Sequence, residues 1–138
     1  MNNRSLVIIK PDAYRAGIIG EIISHYEKID LKIDDIKIVH LSVSEAEDFY
    51  SVHKGKPFYK KLIKFMTSGC SIPMILSGED AVRKIREING ATDPKDAAEG
   101  TIRKKYATNG RENAVHASDS PETAAEEIEF FFGGGLDD

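Results

Sequence analysis

The run Ser5-Leu6-Val7-Ile8-Ile9-Lys10 reads as a buried strand, stopped by Pro11, which has no amide hydrogen to donate. Ile18, Ile19, Ile22, Ile23, Tyr26 and Ile29 then recur at three- and four-residue steps, the spacing of an amphipathic helix. Leu31, Ile33, Ile36, Ile38 and Leu41 predict a second strand, with Asp34-Asp35 shifting the alternation as a bulge or bend does. Ser44-Glu45-Ala46-Glu47 is a capping-box pattern and predicts a short helix carrying Phe49 and Tyr50. Pro57 suits the first turn of another helix, with Phe58, Leu62, Phe65 and Met66 on its core side. Ile72 to Leu76 predicts a third strand, and Glu79 to Asn89 a helix ended by Gly90.

Between Gly90 and Gly110 the periodicity is lost, and Thr92-Asp93-Pro94, Gly100 and Asn109-Gly110 punctuate a long excursion. A segment of that length without regular structure inside a compact domain is usually functional. Asn113 to Ser118 predicts a short fourth strand. Ser120-Pro121-Glu122 opens a last helix through about Phe131, and Gly133-Gly134-Gly135 reads as a loose tail. The order is β-α-β-(αα)-β-α-β-α. Strands separated by helices suit a parallel sheet, but four short strands at this spacing also suit a split β-α-β, ferredoxin-like sandwich. The pattern leaves both open.

Composition narrows the class. A chain of 138 residues, 41% hydrophobic and 30% charged, has the apolar supply for one core and the polar supply for a hydrated surface. No run approaches a membrane-spanning length, and Met1-Asn2-Asn3-Arg4 leads into a strand with no signal-peptide pattern. One cysteine, Cys70, makes neither an internal disulfide nor a zinc cage and reads as a small buried residue, so a cytoplasmic protein is expected. The net charge of −4 argues against duplex DNA as the main partner; neither a membrane nor a specific nucleic acid is expected.

No P-loop, G-x-G-x-x-G or G-x-S-x-G motif is present, and no His, Cys and carboxylate cluster stands at metal-ligand spacing. Of four histidines, His25 reads as a surface residue, His40 as a strand end and His53 as a helix end beside Lys54. His116 differs, because Asn113-Ala114-Val115-His116-Ala117-Ser118-Asp119-Ser120 surrounds it with small residues, a hydroxyl and a carboxylate. Lys10, Arg86 and Arg103 would suit a polyphosphate if they converged, with Thr92 adding a hydroxyl. Sequence alone does not make them converge, and Tyr50 and Phe58 read first as core residues.

The segment Asn113 to Ser120 closely resembles the N-x-x-H-G-S-D-S signature of the nucleoside diphosphate kinases. Ile9-Lys10-Pro11-Asp12, Pro57-Phe58-Tyr59, Phe65-Met66-Thr67-Ser68-Gly69, Gly90-Ala91-Thr92-Asp93-Pro94 and Gly100-Thr101-Ile102-Arg103 are similar to that family's other blocks, in order and spacing over almost the whole chain. The resemblance implies one domain over residues 1–138, a ferredoxin-like α/β sandwich on a four-stranded antiparallel sheet. It also implies ping-pong transfer of the γ-phosphoryl of a nucleoside triphosphate, mainly ATP, to nucleoside diphosphates through a phosphohistidine at His116, which maintains triphosphate pools.

Family roles carried to matching positions put Lys10, Tyr50, Arg86, Thr92, Arg103 and Asn113 around phosphates and sugar, and Phe58 against the base. Glu127 would hold the second ring nitrogen of His116, with Ser118 assisting. Magnesium would ride on the nucleotide phosphates, so no protein metal ligand is expected. The resemblance implies a homo-oligomer; because longer tails contribute to subunit contacts in the family's hexameric members, the six residues after Phe132 favour a tetramer, with a hexamer as the alternative.

The chain departs from the pattern at Ala117 and Cys70, where glycine and proline are usual, and at Tyr106-Ala107. An alanine at position 117 is strained if that position needs a positive φ. No apolar residue near Gly110 is evident to face Phe58. Two other classes stand beside the enzyme: a family member that mainly regulates or scaffolds partners, and a binding module without chemistry.

Overall fold

The computed structural model describes residues 2–133, so the loose tail expected from the sequence lies, from residue 134 onward, outside the described residues. Four strands, β1 (Asn2–Ile9), β2 (Lys32–Ile36), β3 (Ile72–Glu79) and β4 (Val115–Ala117), form one sheet in the order β2-β3-β1-β4. Every pairing is antiparallel, which decides between the two architectures in favour of the ferredoxin-like sandwich.

The fully apolar stretch Leu6-Val7-Ile8-Ile9 explains the layering. Successive side chains of a strand point to opposite faces, so Val7 and Ile9 enter one core and Leu6 and Ile8 the other. Helices α2 (Ile19–Glu27) and α5 (Ala81–Asn89) cover the first face, through Ile22, Tyr26, Ala81 and Ile85. Helices α3 (Val43–Phe49), α4 (Tyr59–Met66) and α7 (Pro121–Phe132) cover the second, through Ala46, Leu62, Phe65, Met66 and Phe131. Leu6, Val7, Ile8 and Ile9 are all sealed from solvent, each such burial contributing about 1.5–3 kcal/mol.

Several boundaries differ from the pattern. A short helix α1 (Pro11–Ala16) follows β1 directly, with Pro11 at its first position. The second strand ends at Ile36 after a register shift between Ile33 and Asp35, where the bulge was expected, and only Val39 returns to pair with Ser71. The capping box is Ser42 with Glu45, not Ser44 with Glu47. The Ser42 hydroxyl accepts from the Glu45 amide at 3.1 Å, and Glu45 Oε1 accepts from the Ser42 amide at 2.9 Å. Pro57 lies ahead of α4 rather than in its first turn, and Phe58 is 44% exposed instead of in the core.

The third strand runs on to Glu79, so α5 begins at Ala81 after a left-handed Asp80. Residues 90–110 hold a 3-10 turn (Pro94–Asp96) and a short helix α6 (Ile102–Tyr106), too brief for a periodic pattern to reveal. Ala117 pairs with Val7 in β4 and has no positive φ, so the strain foreseen there is absent; it stands at Ala114 instead, with φ +73°. Cys70 is half-buried rather than buried. Among the described residues no helix is long and apolar enough to cross a membrane.

Candidate active site

A cleft of about 780 Å³ opens where the end of β1, the segment after α3, the C-terminal end of α5, α6 and β4 meet. Eight predicted residues line it: Lys10, Tyr50, Phe58, Arg86, Thr92, Arg103, Asn113 and His116. The other two, Ser118 and Glu127, stand directly behind His116.

The convergence that sequence could not supply comes from long-range hydrogen bonds. Lys10 follows the last residue of β1 and is buried, and its Nζ donates to Asn113 Oδ1 at 2.7 Å and to the Arg111 carbonyl at 3.3 Å. Asn113 Nδ2 in turn donates to the carbonyls of Thr92 at 3.1 Å and Gly110 at 3.0 Å. One lysine and one amide therefore tie three loops into the cleft floor. Arg103, on α6, donates to the Gly90 carbonyl at 2.9 Å and the Val115 carbonyl at 2.7 Å. Its Nε is buried without a partner among the described residues.

These cations strain against each other. Burial, then the nearby Arg103, pushes the Lys10 ammonium down to about 7, with Asp12 pulling the other way. Burial also lowers Arg103, with Arg86 adding to the effect. Three cations converging on one cleft in a chain of net charge −4 make a local positive field suited to an anion. Guanidinium forks match phosphate oxygens.

His116 sits in the middle of β4, opposite Ile8 of β1. Its Nε2 lies 3.0 Å from Glu127 Oε1, and the same carboxylate oxygen accepts from the Ser118 hydroxyl at 2.7 Å. Ser118 is sealed from solvent, so its hydroxyl fixes the carboxylate, and the carboxylate fixes the imidazole. Phe49 packs on the imidazole at 5.5 Å between ring centroids and Tyr50 at 6.3 Å, both near edge-on. A ring held on one nitrogen and two sides presents its other nitrogen, Nδ1, for chemistry. Burial, then Glu127, raises the Tyr50 phenol, which stays a protonated donor.

At the outer end, the half-exposed Phe58 ring is braced by His53, whose ring is tilted against it at 5.3 Å. Asn109, Gly110 and Arg111 also line the cleft, and none brings an apolar side chain to face Phe58. Sequence reasoning missed His53 as a lining residue, along with Leu62, Asn89 and Arg111. No signal in the chain marked them, because each is placed by tertiary packing. His25 and His40 contact backbone carbonyls, His25 that of Glu21 one helical turn away and His40 that of Thr67, as surface histidines do. Among the described residues no group of three or more His, Cys, Asp or Glu stands where it could hold a metal ion.

Comparison with known proteins adds names to this geometry. The family model for nucleoside diphosphate kinases matches residues 3–135. A nucleoside diphosphate kinase of Anaeromyxobacter sp. (strain Fw109-5) is 55% identical over 131 residues, covering 95% of this chain and 90% of the relative. One from Coxiella burnetii (strain CbuK_Q154) is 56% identical over 129 residues, covering 94% and 93%. Among solved structures, the Aquifex aeolicus nucleoside diphosphate kinase superposes with a TM-score of 0.94 at 40% identity, covering 99% of both chains. The halophilic enzyme from Halobacterium salinarum, solved in complex with CDP, gives a TM-score of 0.93 at 36% identity, covering 99% of this chain and 91% of its own.

Proposed function

Since the chain belongs to the nucleoside diphosphate kinase family, with that family's transfer of a γ-phosphoryl group between nucleotides through a phosphohistidine, we propose that His116 is the histidine that carries the phosphate. The observation that carries this is the Ser118–Glu127–His116 chain of hydrogen bonds opening onto a cleft walled by Lys10, Arg86 and Arg103.

The hydrogen bond sets the tautomer. A carboxylate can only accept, so Nε2 carries the proton and Nδ1 holds the lone pair. Nδ1 attacks the γ-phosphorus, the bond to the bridging oxygen breaks, and its electron pair leaves on the β-phosphate of the diphosphate product. The positive charge gained by the imidazole is offset by Glu127. A nucleoside diphosphate entering the same cleft reverses the step, its β-phosphate oxygen taking the phosphoryl group and restoring the neutral ring.

Phosphoryl transfer needs positioning and charge compensation more than covalent help. Lys10, Arg86 and Arg103 supply the compensation, and the Thr92 hydroxyl binds phosphate. Asn113 with Lys10 serves the sugar hydroxyls, while Tyr50 adds a phenol donor. Phe58 takes the base by stacking, which reads no hydrogen-bond pattern and accepts purines and pyrimidines alike. The CDP bound by the Halobacterium relative is consistent with such a cleft. Magnesium enters on the nucleotide phosphates as part of the substrate, whose oxygens would hold it.

Glu127→Gln tests the assignment of the orienting carboxylate. An amide can present either an acceptor or a donor to Nε2, and the donor selects the wrong tautomer. Turnover is expected to fall roughly 10- to 100-fold with little change in thermal midpoint. Steady-state kinetics alongside a melting curve read both, and wild-type rates would remove Glu127 from the mechanism.

Residues 1–138 act as a single kinase unit, and the setting is the cytoplasm, where nucleotide pools are held in balance. The active particle is a homo-oligomer, a tetramer before a hexamer. Support for association comes from Ile36 and Ile38, 44% and 62% exposed along the edge strand β2 and its extension. Light scattering of the purified chain should give a particle of four chains; a monomer would refute the oligomer.

A further inference from the structure

We infer that Asp12 is a positioning residue for the phosphate-carrying histidine: its carboxylate holds the strained turn at Ala114 that sets Asn113 on one side and His116 on the other. The inference rests on the reading of His116 above.

The turn is unusual. Ala114 is fully buried with φ +73°, and the Val115 amide bonds back to the Asn113 carbonyl at 2.8 Å. That is a three-residue turn whose central residue occupies a region most side chains avoid. Glycine would adopt it freely, yet the Ala114 methyl belongs to the core beneath β4. Strain of this kind persists only where neighbours enforce it.

Two neighbours do so here. Asp12 Oδ2, from the first turn of α1, accepts the Ala114 amide at 3.1 Å, and the Lys10 amide donates to the Ala114 carbonyl at 2.8 Å. With both ends of one residue gripped across about a hundred positions of sequence, the chain reverses at Ala114. Asn113 is then turned toward Lys10 Nζ, while Val115 and His116 pair with Ile9 and Ile8.

The second oxygen of the same carboxylate, Oδ1, is buried with no hydrogen-bond partner among the described residues. A carboxylate kept there at such cost needs a return. Besides the Ala114 bond, that return is its effect on Lys10, which faces Arg103 from α6 and Asp12 from α1, with Asn113 and the Arg111 carbonyl as hydrogen-bond partners. Asp12 is the anion that opposes the loss of the Lys10 proton.

The test uses the full-length chain with γ-labelled ATP and magnesium, read as single-turnover labelling of the protein, for Asp12→Ala, Asp12→Asn, Ala114→Gly and the Asp12→Ala/Ala114→Gly pair. Asp12→Ala is expected to slow labelling about tenfold or more. In the Ala114→Gly background the same change should cost about threefold or less, because glycine accepts the turn without enforcement. A merely structural role would not give that difference. Asp12→Asn keeps an acceptor oxygen but not the charge, so it should slow labelling less than Asp12→Ala. It should also move the alkaline limb of the kcat/KM profile to lower pH; this second reading stands if Asp12→Ala does not fold. Equal losses in both backgrounds, labelling within about twofold of wild type in Asp12→Ala, or an unmoved alkaline limb in Asp12→Asn would overturn the inference. Wild-type protein that takes no label would overturn the His116 reading as well, which separates the two failures.

Discussion

Replacing His116 with alanine is expected to abolish turnover, by at least about 10⁴-fold, the order that follows when a nucleophile is removed from an enzyme working through a covalent intermediate. No other group can take its place. Of the other three histidines only His53 lines the cleft, beside Phe58 at its outer end, with Nδ1 3.2 Å from Lys56 Nζ. Burial, then Lys56 and His116, lowers the His53 pKa, but among the described residues its ring pairs with no carboxylate to offset the charge of a phosphoimidazole. The fold does not depend on the imidazole, since the β1–β4 backbone pairing and the Ser118–Glu127 bond both remain. The variant should therefore melt close to wild type and still bind nucleotide. Steady-state rates and nucleotide titration check this together, and substantial turnover by His116→Ala would remove the histidine from the chemistry.

Arg103→Ala has the second largest effect, an expected loss of about 10²–10³-fold in the rate of protein phosphorylation. Two physical causes add. The variant removes a cation from the place where charge develops on the transferring group. It also strips the Gly90 and Val115 carbonyls of their donors, so α5, α6 and β4 lose a common tie. Unpaired carbonyls of this kind cost about 1–3 kcal/mol of stability, so a lower thermal midpoint accompanies the loss. Arg103→Lys should recover little, because a single ammonium lacks the two separate nitrogens that reach the Gly90 and Val115 carbonyls while facing phosphate. Single-turnover kinetics and a melting curve decide it; full activity in Arg103→Lys would show that charge alone matters.

The parts of the fold legible in the sequence are those where local pattern and tertiary need agree. Leu6 to Ile9 had to be a doubly buried strand, and Ile22 with Tyr26 had to face a core. Helix α1 was hidden because six residues after a proline carry too few apolar positions to show a period. The capping box was misplaced by two residues because Ser42 and Ser44 offer the same chemistry, and only the geometry at Glu45 selects between them. Strand direction was unreadable from spacing and came from the resemblance.

The site divides in the same way. His116, Ser118 and Asn113 lie within six residues and announce themselves, and the resemblance extended the set to Glu127 on the last helix. The convergence of Lys10, Arg86 and Arg103 did not, because it depends on bonds such as Lys10 to Asn113 that span the chain. Asp12 stands in the sequence only as part of Ile9-Lys10-Pro11-Asp12, and its grip on Ala114 appears solely in three dimensions. His53 read as a helix end and proved to brace Phe58, a contact no periodicity encodes.

The most direct test of the central claim is a chase experiment. The chain is incubated with γ-labelled ATP and magnesium, freed of nucleotide, and then given unlabelled GDP. The account predicts acid-labile, base-stable label on His116 that moves quantitatively to GTP. Folded protein that converts GDP to GTP when both nucleotides are present, yet never carries label on its own, would contradict it, since the phosphoryl group would then pass directly from donor to acceptor.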